Sequence, residues 1–412
     1  MIATIEIPLD IPDVIIEHVE TNALGDIIIT VRSTLEKATC RKCGKQITKG
    51  HGHDDAITLR HLPILGRKTF IRIRPARYKC LRCKGQPTTT QTLSWYVLRS
   101  PHTTAYNEYL LCELINSTVE DVSLKADVGY KAVEGVIDRY IDTQVNWKLI
   151  SRIDVLGLDE ISLKKGHKDF VTIVTGRWGG KTHILAVLKD RQKKTVKAFL
   201  DSIPLRLRRT IKAVCSDMYD GFVNAVKEVF GSHVLIIDRF HVAKGYRGAV
   251  DTLRKQELKR LKKALPEEEY RQLKGVMWLL RKKAEELQPE EQKRLDCLFR
   301  HSPALQLAYA FSQELTEIFD QTLSKRQAQH RIRVWKKRVK DSGLTCFNSF
   351  LKTLRKYLHG MTNYFIDRHT SGFVEGLNNK IKVIKRRCYG ILNIKHLFQR
   401  IHLDLEGYAL YV

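Results

Sequence analysis

The sequence predicts a chain of the α/β class, in which a mixed sheet is interrupted by a long helical insertion. Three observations predict this fold. Between Arg152 and Asp238, three apolar, β-branched runs are followed by alternating helical and extended patterns. From Ala243 to His369 the pattern is almost purely helical, and two C-x-x-C pairs lie near the start of the chain. We therefore expect five segments: a zinc ribbon region over 1–99, a helix-turn-helix-like segment over 100–150, the first part of the sheet domain over 151–242, the helical insertion over 243–369, and the last part of the sheet domain over 370–412.

The balance of charge points to a polyanionic partner. The 412 residues carry a formal net charge of +27, and 43% of them are hydrophobic, as in an ordinary folded protein. Nucleic acid is the usual partner of so basic a chain. An anionic membrane surface is the competing interpretation, but the sequence has no basic amphipathic anchor and no apolar run long enough to span a bilayer. The start "MIATIEIPLD" does not resemble a secretory signal, so we expect a cytoplasmic protein without membrane association.

Four of the nine cysteines form two hooks, "CRKCGK" and "CLRCKG". Each hook is closely followed by a glycine, and together they supply the four thiolates of a tetrahedral zinc site, namely Cys40, Cys43, Cys80 and Cys83. The stretch "KTFIRIRPARYKC" is interpreted as one extended strand that delivers the second hook, as in a zinc ribbon. Four cysteine ligands leave no open position, which makes the zinc structural. Unconnected thiols or a redox pair are the alternatives.

Other sulfur and imidazole groups are expected to lie outside this site. Three histidines between the hooks could replace a ligand, although exposed positions in a polar loop are the commoner outcome: His51, His53 and His61. The remaining cysteines are scattered, as free buried thiols usually are: Cys112, Cys215, Cys297, Cys346 and Cys388.

The next segment has the outline of a helix-turn-helix. The stretch "TVEDVSLKADVGYKAVEGVIDRYID" predicts a short helix, a turn around Asp127 to Gly129 and a second helix from about Tyr130. Many ordinary three-helix packings share this outline, and the second helix is not especially basic, so a base-reading role and a purely structural role both stay open.

The middle of the chain has the element order of a ribonuclease H type of fold. "RIDVLGLDE", "FVTIVTG" and "THILAVLKD" predict three strands joined by hairpins, and two further strands, "IKAVCSD" and "HVLIID", alternate with helices. Asp159 is predicted to end the first strand, Asp217 the fourth and Asp238 the fifth. Carboxylates on neighbouring strand ends, with one more from elsewhere, would hold two Mg²⁺ or Mn²⁺ ions for phosphodiester cleavage.

The acidic residues of this region also have explanations that involve no metal. Polar residues are common at strand ends, Asp220 is interpreted as a helix cap, and Glu160 as a surface residue or an ion-pair partner. Two aspartates on the expected strands of so basic a chain favour the metal site.

The long helical tract offers two tryptophans. Pro266, followed by three glutamates, predicts a helix start. Trp278, inside "GVMWLL", is predicted to lie in the core. Trp335, inside "RIRVWKKRVK", fits either the core or stacking on an unpaired base.

A last helix is predicted over "TSGFVEGLNNKIKVIKRRCYG", from a cap at Thr370 or Ser371 to about Gly390. Its apolar stripe is formed by Val374, Leu377, Ile381 and Ile384. Glu375 lies off that stripe, on a face that is otherwise basic.

The motifs "VLGLDEISLKKGHKDF", "AVCSDMYDGF", "IIDRFHV" and "SGFVEGLNNKIKVIKRRCYG", in this order and behind four cysteines, resemble the ISL3 family of bacterial insertion-sequence transposases. The resemblance covers about Cys40 to Leu405. It implies a catalytic, metal-binding triad of Asp159, Asp217 and Glu375, and it matches the zinc hooks. Asp238 and His241 fit a D-x-x-H pattern with a possible accessory role. Beside Glu375, a set of polar and basic side chains would hold the DNA backbone: Asn379, Lys380, Lys382, Lys385, Arg386 and Arg387.

We therefore expect a DDE transposase that binds the terminal repeats of its element and cuts and joins DNA by two-metal-ion chemistry. Its partners would be the double-stranded DNA of the element ends and of the target. We also expect an assembly of two or more subunits, located with the bacterial nucleoid in the cytoplasm. The alternatives are a non-catalytic DNA-binding regulator and a nuclease of the same fold that cuts without joining.

Overall fold

The computed structural model describes residues 6–164, 168–369 and 372–412, with the side chains of residues 168 and 373–375 excepted. Its contacts divide the chain into two compact units. The first consists of residues up to Asp142 together with Gln399–Val412, and the second of Thr143–Phe398. The class is mixed α/β, with several sheets and many helices, as the sequence predicts.

From residue 6 onwards, where the description of the first unit begins, nine strands come first. They are β1 (Val14–Thr21), β2 (Ile27–Ser33), β3 (Ala38–Thr39), β4 (Gln46–Ile47), β5 (Gly50–His53), β6 (Ile57–Ile64), β7 (Arg67–Ile73), β8 (Ala76–Lys79) and β9 (Thr88–Thr90). They form a four-stranded sheet in the order β1-β2-β7-β6, a two-stranded β3-β4 and a three-stranded β5-β8-β9. The inward side chains of the four-stranded sheet, such as Ile71 and Ile73, are fully buried.

The single strand predicted for "KTFIRIRPARYKC" is two strands. β7 ends at Ile73 and β8 begins at Ala76, and the two belong to different sheets. Pro75 lies at the break, where its missing N–H and fixed φ do not continue a ladder. β8 alone leads into the second cysteine hook.

Three helices complete the helical segment: α1 (Thr104–Leu114), α2 (Val119–Ala126) and α3 (Tyr130–Tyr140). Thr118 caps α2 by accepting a hydrogen bond from the Asp121 N–H. Asp127, in the left-handed conformation at φ 50°, ends the helix. The predicted short helix, turn and second helix are thus confirmed at their predicted positions.

The second unit is built on a five-stranded sheet. Its first elements are β10 (Val155–Lys164), β11 (Lys168–Trp178), β12 (Lys181–Leu188), α4 (Lys193–Ser202), α5 (Leu205–Arg208), β13 (Ala213–Ser216), α6 (Asp220–Phe230) and β14 (Leu235–Ile237). The strand order is β12-β11-β10-β13-β14. β10, β11 and β12 pair antiparallel, whereas β13 pairs parallel with β10 and with β14.

The helical insertion begins directly after this sheet, a few residues before the predicted start. It comprises α7 (Arg239–Ala264), α8 (Glu267–Gln272), α9 (Val276–Leu279), α10 (Pro289–His301), α11 (Pro303–Asp320), α12 (Lys325–Asp341) and α13 (Asn348–Asp367). Pro266 immediately precedes α8, which confirms the predicted helix start.

The two tryptophans of the insertion differ from each other. Trp335 is 0% exposed, and its Nε1 donates to the carbonyl of Phe311 at 2.8 Å. Of the two alternatives, core and base stacking, the structure shows the core. Trp278 is 62% exposed and stacks against the Arg281 guanidinium, so its predicted core position is wrong. The reason is that α9 is a single turn that buries Val276 and Leu279 instead.

Two helices close the chain, α14 (Gly372–Arg387) and α15 (Ile394–Tyr411). In α14 the predicted stripe is buried at Leu377, Ile381 and Ile384. The predicted cap residues Thr370 and Ser371 lie outside the described residues, as does the side chain of Val374. The later part of α15 belongs to the first unit, where Asp404 accepts a hydrogen bond from the Asn116 N–H at 3.1 Å.

Across the described part of the chain, the helices are too short or too polar for any of them to cross a membrane.

Candidate active site and metal centre

Three aspartates lie side by side where the parallel pairing of β10, β13 and β14 ends. Leu158 of β10 pairs with Ser216 of β13, and Ser216 pairs with Ile237 of β14. The next residue on each strand is therefore Asp159, Asp217 and Asp238. Neighbouring strands are about 4.8 Å apart, so the three backbone positions form a row along one edge of the sheet.

Asp159 does not end its strand as predicted, because β10 continues to Lys164 in its pairing with β11. Its Oδ1 accepts a hydrogen bond from the Glu160 N–H at 2.7 Å, and its Oδ2 accepts one from the Asn378 side chain. Burial raises the pKa of Asp159 above its ordinary value, although both hydrogen bonds favour the ionised form. The carboxylate is thus held in one orientation but lacks full compensation for its charge.

Asp217 directly follows β13, as predicted. Its Oδ1 accepts a hydrogen bond from the Tyr219 N–H at 3.0 Å. Burial, together with the nearby charges of Asp159 and Glu160, raises the pKa of Asp217 to about 6. Two neighbouring carboxylates with raised pKa values lack cationic compensation, a common property of catalytic sites.

Asp238 and His241 are in direct contact. Asp238 caps α7 by accepting from the Phe240 N–H at 2.9 Å, while its other oxygen lies 3.2 Å from His241 Nδ1. This hydrogen bond, aided by the charges of Asp217 and Asp159, raises the pKa of His241. His241 therefore carries positive charge more readily than a free histidine and lies within electrostatic reach of all three aspartates.

Glu160 forms an ion pair with Arg191 at 2.7 Å, one of the two roles expected for it. The Arg191 guanidinium also lies over the rings of Phe170 and Tyr219. Sequence reasoning did not identify Arg191. Asp220, by contrast, is not the predicted cap: it is the first residue of α6, and its side chain binds Lys356 and Tyr357.

Helix α14 is attached to β10 at two points. Asn378 hydrogen bonds Asp159, and Lys385 Nζ donates to the carbonyl of Ser162 at 2.6 Å. Glu375 is one turn before Asn378 in this helix, and its side chain lies outside the described residues. Sequence reasoning missed Asn378, although its spacing of three residues from Glu375 was a signal that both share one helix face.

The six side chains expected to hold DNA divide into two groups. Asn379, Lys382 and Arg386 are exposed, whereas Lys380, Lys385 and Arg387 are partly buried. The ammonium of Lys385 is used to fix α14, and burial lowers its pKa. In the exposed group, Lys382 and Arg386 present positive charge to a partner, and Asn379 presents a neutral amide.

The carboxylate row offers hard oxygen donors to a divalent cation. Within the described residues, the three aspartates do not bring their oxygens within 4.8 Å of one another as a group. Asp159 and Asp217 nevertheless carry raised pKa values, and Asn378 Oδ1 is buried there without a hydrogen-bond donor. Magnesium and manganese prefer such ligands, so the residues present fit these ions.

The four hook cysteines converge in the first unit. Their sulfurs all lie within 4.8 Å of one another, with Cys40 to Cys83 at 4.0 Å and Cys43 to Cys80 at 3.9 Å. Tetrahedral zinc with sulfur ligands at about 2.3 Å requires sulfur separations of nearly this size. Gly44 and Gly85, at φ +68° and +84°, supply the left-handed turns after each hook.

The pKa values of the thiols also indicate a site for a bound cation. Backbone N–H groups of Cys43 and Lys42 lower the pKa of Cys40 to about 6, whereas burial and the adjacent thiols raise that of Cys83 to about 12. All four thiols can ionise together only if a metal compensates their charge.

Of the three histidines between the hooks, none joins the cysteine group. His51 and His53 are exposed, as expected, but His61 is buried and hydrogen bonds Thr103 at 3.0 Å. All nine cysteines are free thiols. Of the five outside the hooks only Cys215 is fully buried, so the prediction of buried thiols is wrong for the other four.

Comparisons with known proteins identify relatives over most of the chain. A family model of transposases, the DDE type named ISL3, matches residues 156–401. The transposase for insertion sequence element IS1001 of Bordetella parapertussis is 27% identical over 384 residues, covering 92% of each chain. The transposase for insertion sequence element IS1557 of Mycobacterium tuberculosis is 22% identical over 414 residues, covering 95% of this chain and 92% of the relative. Among solved structures, the Drosophila P element transposase strand transfer complex aligns with a TM-score of 0.40 and 13% identity, covering 74% of this chain and 91% of that one.

Proposed function

The chain belongs to the ISL3 family of transposases, and we propose on this premise that Asp159, Asp217 and Glu375 are the catalytic triad of its DNA cleavage and joining reactions. As a transposase, the protein acts on DNA. The observation that carries the assignment is the register of the sheet, which sets Asp159 and Asp217 side by side, with α14 attached to Asp159 through Asn378.

The core is proposed to be ribonuclease H-like. Three antiparallel strands followed by two parallel ones, with β10 in the centre, support this. The insertion between β14 and α14 then interrupts the core, while the zinc ribbon region and the helix-turn-helix-like segment would find the element ends. In this proposal the chain consists of five segments, over residues 1–99, 100–150, 151–242, 243–369 and 370–412.

Asp159, Asp217 and Glu375 would hold two Mg²⁺ or Mn²⁺ ions. Bound there, these ions would lower the pKa of a water and stabilise the attacking and leaving oxygens of an in-line displacement. The protein's own groups prepare the site: Asn378 orients Asp159, the Tyr219 N–H orients Asp217, and Arg191 neutralises Glu160. Asp238 would keep His241 protonated, which places an accessory positive charge near the phosphate.

Exposed Asn379, Lys382 and Arg386 would contact the DNA backbone beside the site. Lys380, Lys385 and Arg387 would contribute more by supporting α14. We further propose that two or more subunits hold the two element ends together, and that the protein works in the cytoplasm at the nucleoid.

The decisive experiment is incubation of the protein with a labelled duplex that carries its own element end, with Mg²⁺ or with a chelator. We expect cleavage that requires the metal, followed by joining of the 3′ end to a second duplex. Binding without cleavage under every metal condition would favour the regulator. Cleavage without joining would favour the nuclease.

Replacing Asn378 with alanine should weaken catalysis through Asp159. The Asn378 amide favours the ionised carboxylate, so its loss raises the pKa of Asp159 further. We expect the rate of cleavage to fall about 10-fold and the acid limb of the pH–rate profile to move to higher pH. The measurement is the cleavage rate as a function of pH.

Asn379→Ala is the matched control, because Asn379 is the next residue of α14 and is exposed. It should weaken DNA binding without moving the acid limb. If the acid limb stays in place in Asn378→Ala, Asn378 does not act through Asp159.

A further inference from the structure

Helices α12 and α13 form an antiparallel hairpin whose inner face is firmly packed. Ala328, Ile332, Trp335 and Val339 of α12 are all buried. Because these positions follow the helical period, the polar positions of α12 are on the outer face.

The register of the hairpin brings cations of the two helices together. Lys325 Nζ donates to Asn363 Oδ1 at 2.6 Å, and Gln329 donates to Thr362 Oγ1 at 3.1 Å. Continuing this antiparallel register sets Lys336 and Lys340 beside the start of α13. The row of cations along the hairpin, named here the cationic ridge, consists of Lys325, Lys336, Lys340, Lys352, Arg355 and His359.

The charges of the ridge repel one another. Burial and the nearby Arg355 and Lys340 lower the pKa of Lys336. Burial, Lys325 and Lys227 likewise lower the pKa of His359. Like charges at such spacing destabilise a helix pair, so the arrangement has a cost for the isolated protein.

The ridge lacks the acidic partners found elsewhere on the insertion. Arg271 pairs with Glu267 at 2.7 Å, Lys293 with Glu290 at 3.1 Å, and Arg338 with Glu314 at 2.7 Å. For the residues that the structure describes, no carboxylate lies within ion-pair distance of the four central members of the ridge, which are Lys336, Lys340, Lys352 and Arg355. Among the described residues, these four cations therefore carry charge that no neighbouring acid neutralises, in contrast to the three ion-paired cations just named.

The ridge has the length of a track for duplex DNA. Its helical rise from Lys325 to Lys340 is about 22 Å, roughly the rise of six base pairs. On α13, Tyr357 donates to Asp220 at 2.6 Å, and Asp220 is three residues after Asp217. Helix α13 thus contacts the first residue of α6, the helix that follows Asp217 in the same unit.

We propose that the cationic ridge binds the phosphate backbone of double-helical DNA, independently of sequence, and holds the duplex alongside the carboxylate row. The inference rests on the proposed function, since it supplies a second contact for the same DNA. The long side chains of the ridge are Lys and Arg, which bind phosphates as cations, so charge rather than base identity determines what the ridge binds.

The test compares two triple variants with the same loss of charge. The ridge variant is Lys340→Gln, Lys352→Gln and Arg355→Gln. The control variant is Arg271→Gln, Lys293→Gln and Arg338→Gln, whose members are ion-paired in the insertion. Binding to a labelled duplex of scrambled sequence is measured without divalent metal over a series of salt concentrations, after circular dichroism has established that both variants fold.

We expect the slope of log K against log salt to become shallower by about 2 to 3 in the ridge variant, since each lost phosphate contact removes about 0.9. The single variant Lys340→Gln should remove about 0.9 by itself. The control should retain the wild-type slope. Equal slopes for the ridge and control variants would overturn the proposal.

Failure of the ridge and failure of the catalytic assignment give different results. The salt slope is measured without metal and without cleavage, so it can be read for a protein that cuts nothing. If the wild type cuts its element end but the ridge variant keeps the wild-type salt slope, the proposal for the ridge is wrong and the catalytic assignment stands.

Discussion

Replacing Asp217 with asparagine is expected to lower the rate of DNA cleavage by about 1000-fold or more and, at about pH 8, to raise the melting temperature of the metal-free protein. Cleavage falls because a neutral amide is a poor ligand for a hard divalent cation. Stability rises because burial and two neighbouring acids penalise the ionised Asp217, whose pKa is raised to about 6. The carboxylate proposed to be catalytic would thus weaken the fold that carries it.

The sign of the stability effect depends on pH. Asp217 has a higher pKa in the folded protein than in the unfolded chain, so its ionisation lowers the free energy of unfolding. The full loss is present above about pH 6, and there is none below about pH 4. A shift of this size corresponds to at most about 3 kcal/mol. The gain of Asp217→Asn should therefore be largest at about pH 8 and vanish at about pH 4, as measured by thermal unfolding in a chelator.

Asp220→Asn is the matched control, three residues along the chain. Contacts with Lys356 and Tyr357 lower the pKa of Asp220, so its charge stabilises the fold. This variant should cut DNA at a near wild-type rate and melt at a lower temperature. If Asp217→Asn also melts lower at about pH 8, or cuts as fast as the wild type, the assignment of Asp217 fails.

The sequence was sufficient to predict the features that depend on residues close together in the chain. An apolar, β-branched run followed by an acid located Asp217 at the end of β13, and two C-x-x-C hooks located the cysteine cluster. The turn at Asp127 was equally local, because one residue in the left-handed conformation ends α2. The acid and the turn each lie within a few residues of their signal, and each cysteine hook is itself local, although the two hooks meet across about 40 residues.

Features that depend on tertiary packing could not be predicted in this way. β10 extends beyond Asp159 because β11 continues to pair with it after the pairing with β13 has ended. Trp278 has apolar neighbours in sequence and Trp335 mostly basic ones, yet it is Trp335 that is buried, because only the long helix α12 can bury a whole face. Asn378 and Asp159 are 219 residues apart in the chain, and no local pattern predicts their contact.

Replacing Cys80 with serine is expected to abolish metal binding in the first unit and, with it, the binding of element ends. The four sulfurs come from two hooks that belong to different sheets. Loss of one sulfur leaves three ligands, too few for a closed tetrahedral zinc site. Structural zinc contributes on the order of 10 kcal/mol to such small domains, more than the short strands β3, β4, β8 and β9 could replace. We expect about one zinc per wild-type chain and none in the variant, by elemental analysis.

The second unit should survive this change, because its sheet and insertion have a separate hydrophobic core. Cys80→Ser should therefore keep most of its helical circular dichroism signal while the region around β3 to β9 becomes sensitive to protease. Cys297→Ser, which alters a thiol beside that separate core, is the matched control and should retain zinc, end binding and protease resistance. A wild type without zinc, or a Cys80→Ser protein that binds element ends normally, would show that the cysteine cluster does not organise the first unit. The zinc cluster and the carboxylate row belong to separate units. If Cys80→Ser loses binding of element ends while the second unit stays folded, DNA recognition and DNA cleavage are functions of different parts of the chain.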